Sequence, residues 1–486
     1  MSPLRRPTEP VVVVIFGASG DLTQRKLVPA MFSLSCEQLL PEHCTLLGVA
    51  RTPLTLAQFS TQLFQGATEY ARLRPNQCEQ WPNFEPHLDF LSGDYAATET
   101  YRHLAQRLAE RDRDTGMAWN RLFYLAVPPA LYPTIVDHLG KAQLNRAPDR
   151  WVRIIVEKPF GYDLASAHAL NERFQAVFDE QQVYRIDHYL GKETVQNLML
   201  FRFANSTFEP LWNRNYVDSI HITMAEKEGV GHRAGYYDHA GVARDILQNH
   251  LLQLLTLAAM EPPSALSAKQ LRDEKTKVLV AVRSIAPEDV VWGQYEGYRQ
   301  EPGVAPDSRT PTYIAARLFV DNWRWQGVPF YLRTGKSLAA QTTRITLQFR
   351  RVPHILFPDN VDPEPNRLTL NIQPDEGFVQ TVQTKVPGVE MRSRSVDMTF
   401  RYEHTFGEHA LPDAYERLLL DAIQGDAALF ARNDEIELAW HLVDRLPPST
   451  EPHLYPAGSQ GPGASSALLA RNGHAWRPLA QATPST

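Results

Sequence analysis

The chain has 486 residues, 43% hydrophobic and 21% charged, with a formal net charge of −6. That length exceeds what one core organises and predicts two domains, while the composition is that of a globular protein rather than a membrane or fibrous one. A net negative chain has no bulk attraction for nucleic acid, so an anionic ligand must be met by a local basic cluster.

The first apolar run, Val11–Phe16, is too short for a signal-peptide core, and no stretch approaches the roughly 20 apolar residues of a membrane span. Cys36, Cys44 and Cys78 have no metal-type spacing and no even framework, which points to a reducing compartment, the cytoplasm, and to no metal centre.

From residue 1 to 187 the short runs VVVVIF, CTLLGVA, LDFLSGDY, RLFYLAVPP and WVRIIVEKPF alternate with amphipathic stretches. This is the pattern of a parallel sheet wrapped by helices, a doubly wound α/β domain. From residue 188 to 486 the character changes. VDSIHITMAEK, TYIAARLFVD, VPFYLRTGK, RITLQFRRV, RLTLNIQP, FVQTVQTKV and RSVDMTFRY alternate partially between turn residues, predicting a large, mostly antiparallel sheet. Helical stretches interrupt it, so this domain is α+β. PAGSQGPGASS reads as a flexible loop and HAWRPL as a tail that returns to anchor.

FGASGDLTQRKL, after the first strand, lacks one glycine of a dinucleotide fingerprint and has Asp21 where a nucleoside-triphosphate loop needs lysine. It keeps what both share: a buried strand, two glycines allowing close backbone approach, and a helix start facing an anion. LLGVART ends the second strand on Arg51 instead of an acid, which suits a 2′-phosphate and so NADP.

Three further stretches concentrate titratable groups. EKPFG puts Lys158 at the carboxyl end of a buried strand, where open α/β sheets bind ligands, and leaves Pro159 free to be cis or trans. RIDHYLGKE packs Asp187, His188, Tyr189 and Lys192 together, with His188 and Lys192 on one side if the segment is a helical turn; cations and donors of this kind suit a phosphate monoester. In RDILQNH, Asp245 and His250 are five apart, about 140° around an α-helix, so His250 as a general base needs its orienting carboxylate from elsewhere, with Asp187 the best placed.

GASGDL, EKPFG, RIDHYLGKE, RAGYYDHAGVARDILQNHLLQ and GVPFYLRTGK, in this order from Gly17 to Lys336, closely resemble the glucose-6-phosphate dehydrogenase family. The resemblance implies a Rossmann-like N-terminal domain, an α+β C-terminal domain, and homodimers or homotetramers assembled through the large sheet. It implies oxidation of glucose 6-phosphate at C1 to the lactone with NADP, the first step of the oxidative pentose phosphate pathway. By residue it implies His250 as base with Asp187 orienting it, and His188, Tyr189 and Lys192 as the phosphate grip. Lys158 would reach both substrate and cofactor, Glu226 and Asp245 would bind sugar hydroxyls, and Lys336 would lie on the substrate side. Gly17, Ala18, Ser19, Gly20, Asp21, Leu22 and Arg51 would form the NADP site, joined by Asp94 and Tyr95.

Two positions depart from the family. Gln341 stands where a second basic residue is usual, which predicts weaker phosphate affinity unless Arg344 or Arg333 compensates, and Trp292 replaces an arginine. A different two-domain sugar oxidoreductase would also carry the EKP strand end, but would not require the His188, Tyr189 and Lys192 cluster. A catalytically silent sensor would not require Asp187 and His250.

Overall fold

The fold, in a computed structural model that describes residues 7–353, 364–407, 411–449 and 451–480, divides into two units. The first runs to Lys192 and recruits Pro263–Arg272 and Pro412–Glu437; the second comprises Glu193–Pro262, Asp273–Leu411 and the chain from Leu438.

In the first unit β1 (Val11–Phe16), β2 (Cys44–Ala50), β3 (Leu88–Ser92), β4 (Asn120–Leu125), β5 (Val152–Val156) and β6 (Val183–Ile186) form a parallel sheet in the order β6-β5-β4-β1-β2-β3. Phe430–Ala431 adds an antiparallel edge beside β6. This is the doubly wound order, whose reversal falls between β1 and β4. β1 is buried on both faces, each residue at 1% exposure or less, which is why it reads as an unbroken apolar run. Burial of such side chains contributes about 1.5–3 kcal/mol each.

All five predicted strands of this unit occur. The sixth, β6, is only four residues long and carries Arg185, whose buried guanidinium is met by Glu180 at 2.6 Å and Asn171 at 3.1 Å. The helix Ala414–Gln424 belongs to this unit despite its distance in sequence. Arg153 donates to the carbonyls of Ala422 and Ile423 at 2.8 Å, and Arg72 pairs with Glu416 at 2.6 Å. Cys36, which closes the helix Val28–Cys36, is joined to Cys78 by a disulfide with 6.0 Å between Cα atoms. This corrects the reading of the three cysteines as no framework; 42 residues separate the two, and no local motif marks the pairing.

The second unit holds a nine-stranded sheet. β7 (Val217–Ala225), β8 (Val290–Tyr295), β9 (Tyr313–Phe319), β10 (Pro329–Gly335), β11 (Thr342–Phe349), β12 (Arg367–Gln373), β13 (Gly377–Lys385) and β14 (Ser393–Arg401) lie in the order β14-β13-β12-β11-β7-β10-β9-β8, with His453–Tyr455 beyond β8. Among the described residues only β7 with β10 and β8 with His453–Tyr455 are parallel in this sheet, so it is mostly antiparallel, as its alternating segments predict. Trp292 in β8 donates its indole N–H to the Pro447 carbonyl at 3.0 Å, which gives this tryptophan a structural role.

The predicted loop after residue 455 is shorter than its composition suggests. Gly463–Ala470 is a helix preceded by Pro462, where a proline is well tolerated, and its alanines and leucines outweigh the initial glycine. The tail does anchor. His474 contacts Tyr331 Oη at 3.0 Å and Asp218 at 2.9 Å, and Arg333 and Arg344 donate to the carbonyls of Arg477 and Pro478 at 2.7 and 2.6 Å. Among the described residues no helix is long and apolar enough to cross a membrane.

Candidate active site

The chain leaves β1 at the switch point through Gly17, whose φ is +90°; a Cβ there would lie 2.1 Å from the Ala126 carbonyl oxygen. Only glycine fits so tight an exit. The amides of Gly17 and Ala18 both donate to the Val49 carbonyl at 3.0 and 3.2 Å, and the Gly20 amide and the Thr23 hydroxyl return to the Gly17 carbonyl at 2.9 and 3.1 Å. The helix then begins at Asp21 and Leu22, is π-wound over Thr23–Leu27, and continues as α-helix from Val28. Asp21 is engaged by Arg25 at 2.7 Å.

Beside this turn, Arg51 projects from the end of β2 with its guanidinium 5.8 Å from the Tyr95 ring centroid, and Ser19 Oγ donates to Thr52 Oγ1 at 3.5 Å. Tyr95 donates to the Val49 carbonyl at 3.4 Å, while Asp94 spends its carboxylate on the Ala96 amide at 3.0 Å, closing its own loop. A glycine cradle beside one arginine and two hydroxyls fits an esterified phosphate better than a pair of ribose hydroxyls. The residues present therefore fit NADP.

At the end of β5, the Lys158–Pro159 peptide is cis. Glu157, whose role the EKPFG motif does not reveal, fixes this strand exit. Its carboxylate accepts from Tyr124 Oη at 2.5 Å and its carbonyl from Tyr132 Oη at 3.0 Å, and burial raises its pKa above the usual carboxylate range. Lys158 follows, half-buried.

β6 runs directly into Asp187, at 3% exposure, whose carboxylate accepts from the Tyr189 amide at 3.0 Å. The segment to Lys192 is a turn that precedes the helix Glu193–Phe203. It gathers the expected residues around one ring: the Lys192 ammonium lies 4.2 Å and the His188 ring 4.9 Å from the Tyr189 ring centroid. Gly191 lets the turn pass close to the helix Ala414–Gln424, since a Cβ would meet the Ala414 carbonyl oxygen at 2.6 Å.

In the second unit, the parallel register of β7 and β10 sets Ala225 opposite Gly335, so the next residues, Glu226 and Lys336, emerge side by side. The Lys336 ammonium pairs with Glu226 and lies 3.6 Å from Asp245. Arg233 reaches the other oxygen of Asp245 at 3.4 Å. Tyr455 Oη donates to the Lys336 carbonyl at 2.7 Å, fixing the lysine's backbone.

The helix carrying Asp245 and His250 departs from expectation. Ala243–Leu251 is π-wound, not α-helical, and Gly241 before it breaks the preceding helix with φ 65° and ψ 173°. Winding by i→i+5 bonds stacks residues five apart on one side of the helix, a device common at functional sites. The predicted separation of about 140° therefore does not apply to Asp245 and His250. Both are buried, at 4% and 2% exposure.

Gln341 is exposed just ahead of β11. Arg333 and Arg344, the two residues named as able to compensate for it, are buried and committed to the tail; burial lowers them to about 10 and about 9.

Residues 14–197 match the family described as glucose-6-phosphate dehydrogenase, NAD binding domain, and residues 199–477 match its C-terminal domain. The glucose-6-phosphate 1-dehydrogenase of Aggregatibacter actinomycetemcomitans is 46% identical, covering 96% of this chain and 97% of its own length. A chloroplastic one from Spinacia oleracea is 41% identical, covering 97% of this chain and 84% of its own. A solved glucose-6-phosphate dehydrogenase in complex with its substrate glucose-6-phosphate has a TM-score of 0.91 at 34% identity, covering 98% of this chain and 100% of that one. The chain belongs to the glucose-6-phosphate dehydrogenase family, oxidoreductases that use NADP to oxidise glucose 6-phosphate in the first step of the pentose phosphate pathway.

Proposed function

We propose that His250 is the base that takes the C1 hydroxyl proton of glucose 6-phosphate and that Asp187 orients it. A hydride departs from C1 only as the hydroxyl loses its proton, so a base titrating near neutrality is required, and imidazole is the side chain with that property. A carboxylate on the far ring nitrogen sets the tautomer and favours the imidazolium as it forms. Asp245, although stacked over the same side of the helix as His250, is already shared by Lys336 and Arg233, which supports a sugar-binding role for it and leaves the orienting role to Asp187. NADP, when bound, supplies the hydride acceptor; Gly17 to Leu22 would hold its pyrophosphate and Arg51 its 2′-phosphate, with Asp94, Tyr95 and Lys158 alongside.

The observation that carries the choice of substrate is the gathering of His188, Tyr189 and Lys192 on one turn immediately after buried Asp187. A cation, an imidazole and a phenol together match a phosphate monoester, and an unphosphorylated sugar would not use them. Remote phosphate binding then positions C1. Glu226, Asp245 and Lys336 would bind the sugar hydroxyls, with Gln341 a neutral donor near the phosphate. The test is NADP reduction with glucose 6-phosphate against glucose. A large preference for the phosphorylated sugar is expected; equal rates would contradict the reading.

The same proposal takes the protein to be a homodimer or homotetramer assembled through the large sheet. In support, the edge strand β14 presents Val396 and Met398 to solvent at 42% and 54% exposure. It takes the compartment to be the cytoplasm, where phosphorylated sugar and dinucleotide are both retained.

A further inference from the structure

We infer that Tyr237 is a positioning residue for the sugar-binding carboxylates: its ring supports the Lys336 ammonium, and its hydroxyl is a reserve donor for Glu226 and Asp245 when that ammonium turns to substrate. This rests on the proposed assignment of Glu226, Asp245 and Lys336 to the sugar.

Two observations lead here. The Lys336 ammonium lies 5.5 Å from the Tyr237 ring centroid while it pairs with Glu226 and Asp245, so the ring face is part of the lysine's bed. The Tyr237 hydroxyl, on a side chain at 1% exposure, meets no hydrogen-bond partner among the described residues. A buried hydroxyl left unpaired is destabilising, and such a group calls for an explanation.

The surroundings narrow what that explanation is. The groups that act electrostatically on this phenol are Asp245, Tyr455, Glu226 and Tyr298. Tyr455 already donates to the Lys336 carbonyl, and Tyr298 to Asp238 at 2.9 Å. The other two are carboxylates, which can only accept. Burial, and then Asp245, keep the phenol protonated well above its usual range, so it remains a donor at every working pH.

The ammonium pairs with Glu226 and lies 3.6 Å from Asp245. A sugar that draws Lys336 toward itself would leave one of them short of a donor, and the phenol is the buried group able to replace it. The backbone beneath Tyr237 is held still for this exchange. Asp238, the next residue, accepts from Tyr298 Oη, from the Ala305 amide at 3.2 Å and from Ser308 Oγ.

The test is Tyr237→Phe, which keeps the ring and removes the hydroxyl. Expected are an unchanged or raised Tm of the free enzyme, because an unpaired polar group is lost, and a KM for glucose 6-phosphate raised about 5- to 10-fold. The kcat should stay within about 2-fold and the KM for NADP should not move, since a donor present only in the sugar complex contributes binding rather than chemistry. Tyr237→Leu, which also removes the ring, should raise the sugar KM further. An unchanged sugar KM in Tyr237→Phe, or a fall in Tm with kcat and KM intact, would overturn the assignment and leave the hydroxyl without this role. Wild-type turnover checks the underlying reading separately, so an unchanged KM beside an active wild type counts against Tyr237 alone.

Discussion

The Lys336 ammonium lies 3.6 Å from a carboxylate oxygen of Asp245, joining the end of the central strand β10 to the π-wound helix that also carries His250. Two pieces of geometry produce this contact. The β7 and β10 register delivers Lys336 beside Glu226, and the π-winding sets Asp245 and His250 on one side of their helix. Both come from backbone geometry, so the group of residues proposed to bind the sugar is preorganised.

Arg51 is the test of cofactor choice. Arg51→Ala removes the guanidinium proposed to hold the 2′-phosphate, a charge-assisted contact of a kind worth about 1.5–3 kcal/mol, so the KM for NADP should rise about 10- to 100-fold while that for NAD stays level. Steady-state rates with each dinucleotide check this, and an unchanged ratio would remove Arg51 from the 2′-phosphate site.

Gly17→Ala should damage the turn itself. The added Cβ meets a carbonyl oxygen at 2.1 Å, in a backbone conformation with φ +90°, so a loss of at least about 2 kcal/mol of stability is expected together with a raised KM for NADP. Thermal melting and NADP titration of the same sample separate the two effects. A stability loss with unaltered NADP affinity would place the cofactor elsewhere.

His221 makes the fold acid-sensitive. Burial first, then His474, Arg333 and Arg344, lower its pKa to about 3, against a weaker opposing pull from Asp218. The unfolded chain takes up this proton near pH 6.5, earlier than the folded one does. The stability His221 contributes is therefore fully present above about pH 6.5 and is lost as pH falls toward 3, at up to about 1.4 kcal/mol per pH unit. His221→Gln should flatten the decline of Tm between pH 6.5 and 4.5, and parallel Tm curves for the two proteins would contradict this.

The strands of both units were legible because their burial imposes a pattern: continuous apolar runs in the parallel sheet, as at Val11–Phe16, and partial alternation in the mostly antiparallel one, as at Gly377–Lys385. The residues proposed for the site were legible as dense clusters of titratable types at strand ends. What escaped was set by tertiary structure. A charge such as Arg185 disguises a buried strand once Glu180 pairs with it, and the Cys36–Cys78 bridge joins residues with no local motif. The π-winding at Ala243–Leu251 looks, in sequence, like any amphipathic helix. Glu157 stayed hidden because its role depends on Tyr124, which lies on the neighbouring strand β4.

The central claim is that His250 is the base and that Asp187, rather than Asp245, orients it. The kcat–pH profile of Asp187→Asn and Asp245→Asn beside wild type, with His250→Asn as the null, tests it most directly. His250→Asn should lose at least about 100-fold in kcat while still binding glucose 6-phosphate. Asp187→Asn should lower kcat and shift the base's apparent pKa downward, because the imidazolium loses its carboxylate; Asp245→Asn should mainly raise the sugar KM. A displaced pKa in Asp245→Asn with the Asp187→Asn profile unmoved, or near-normal kcat in His250→Asn, would contradict the account.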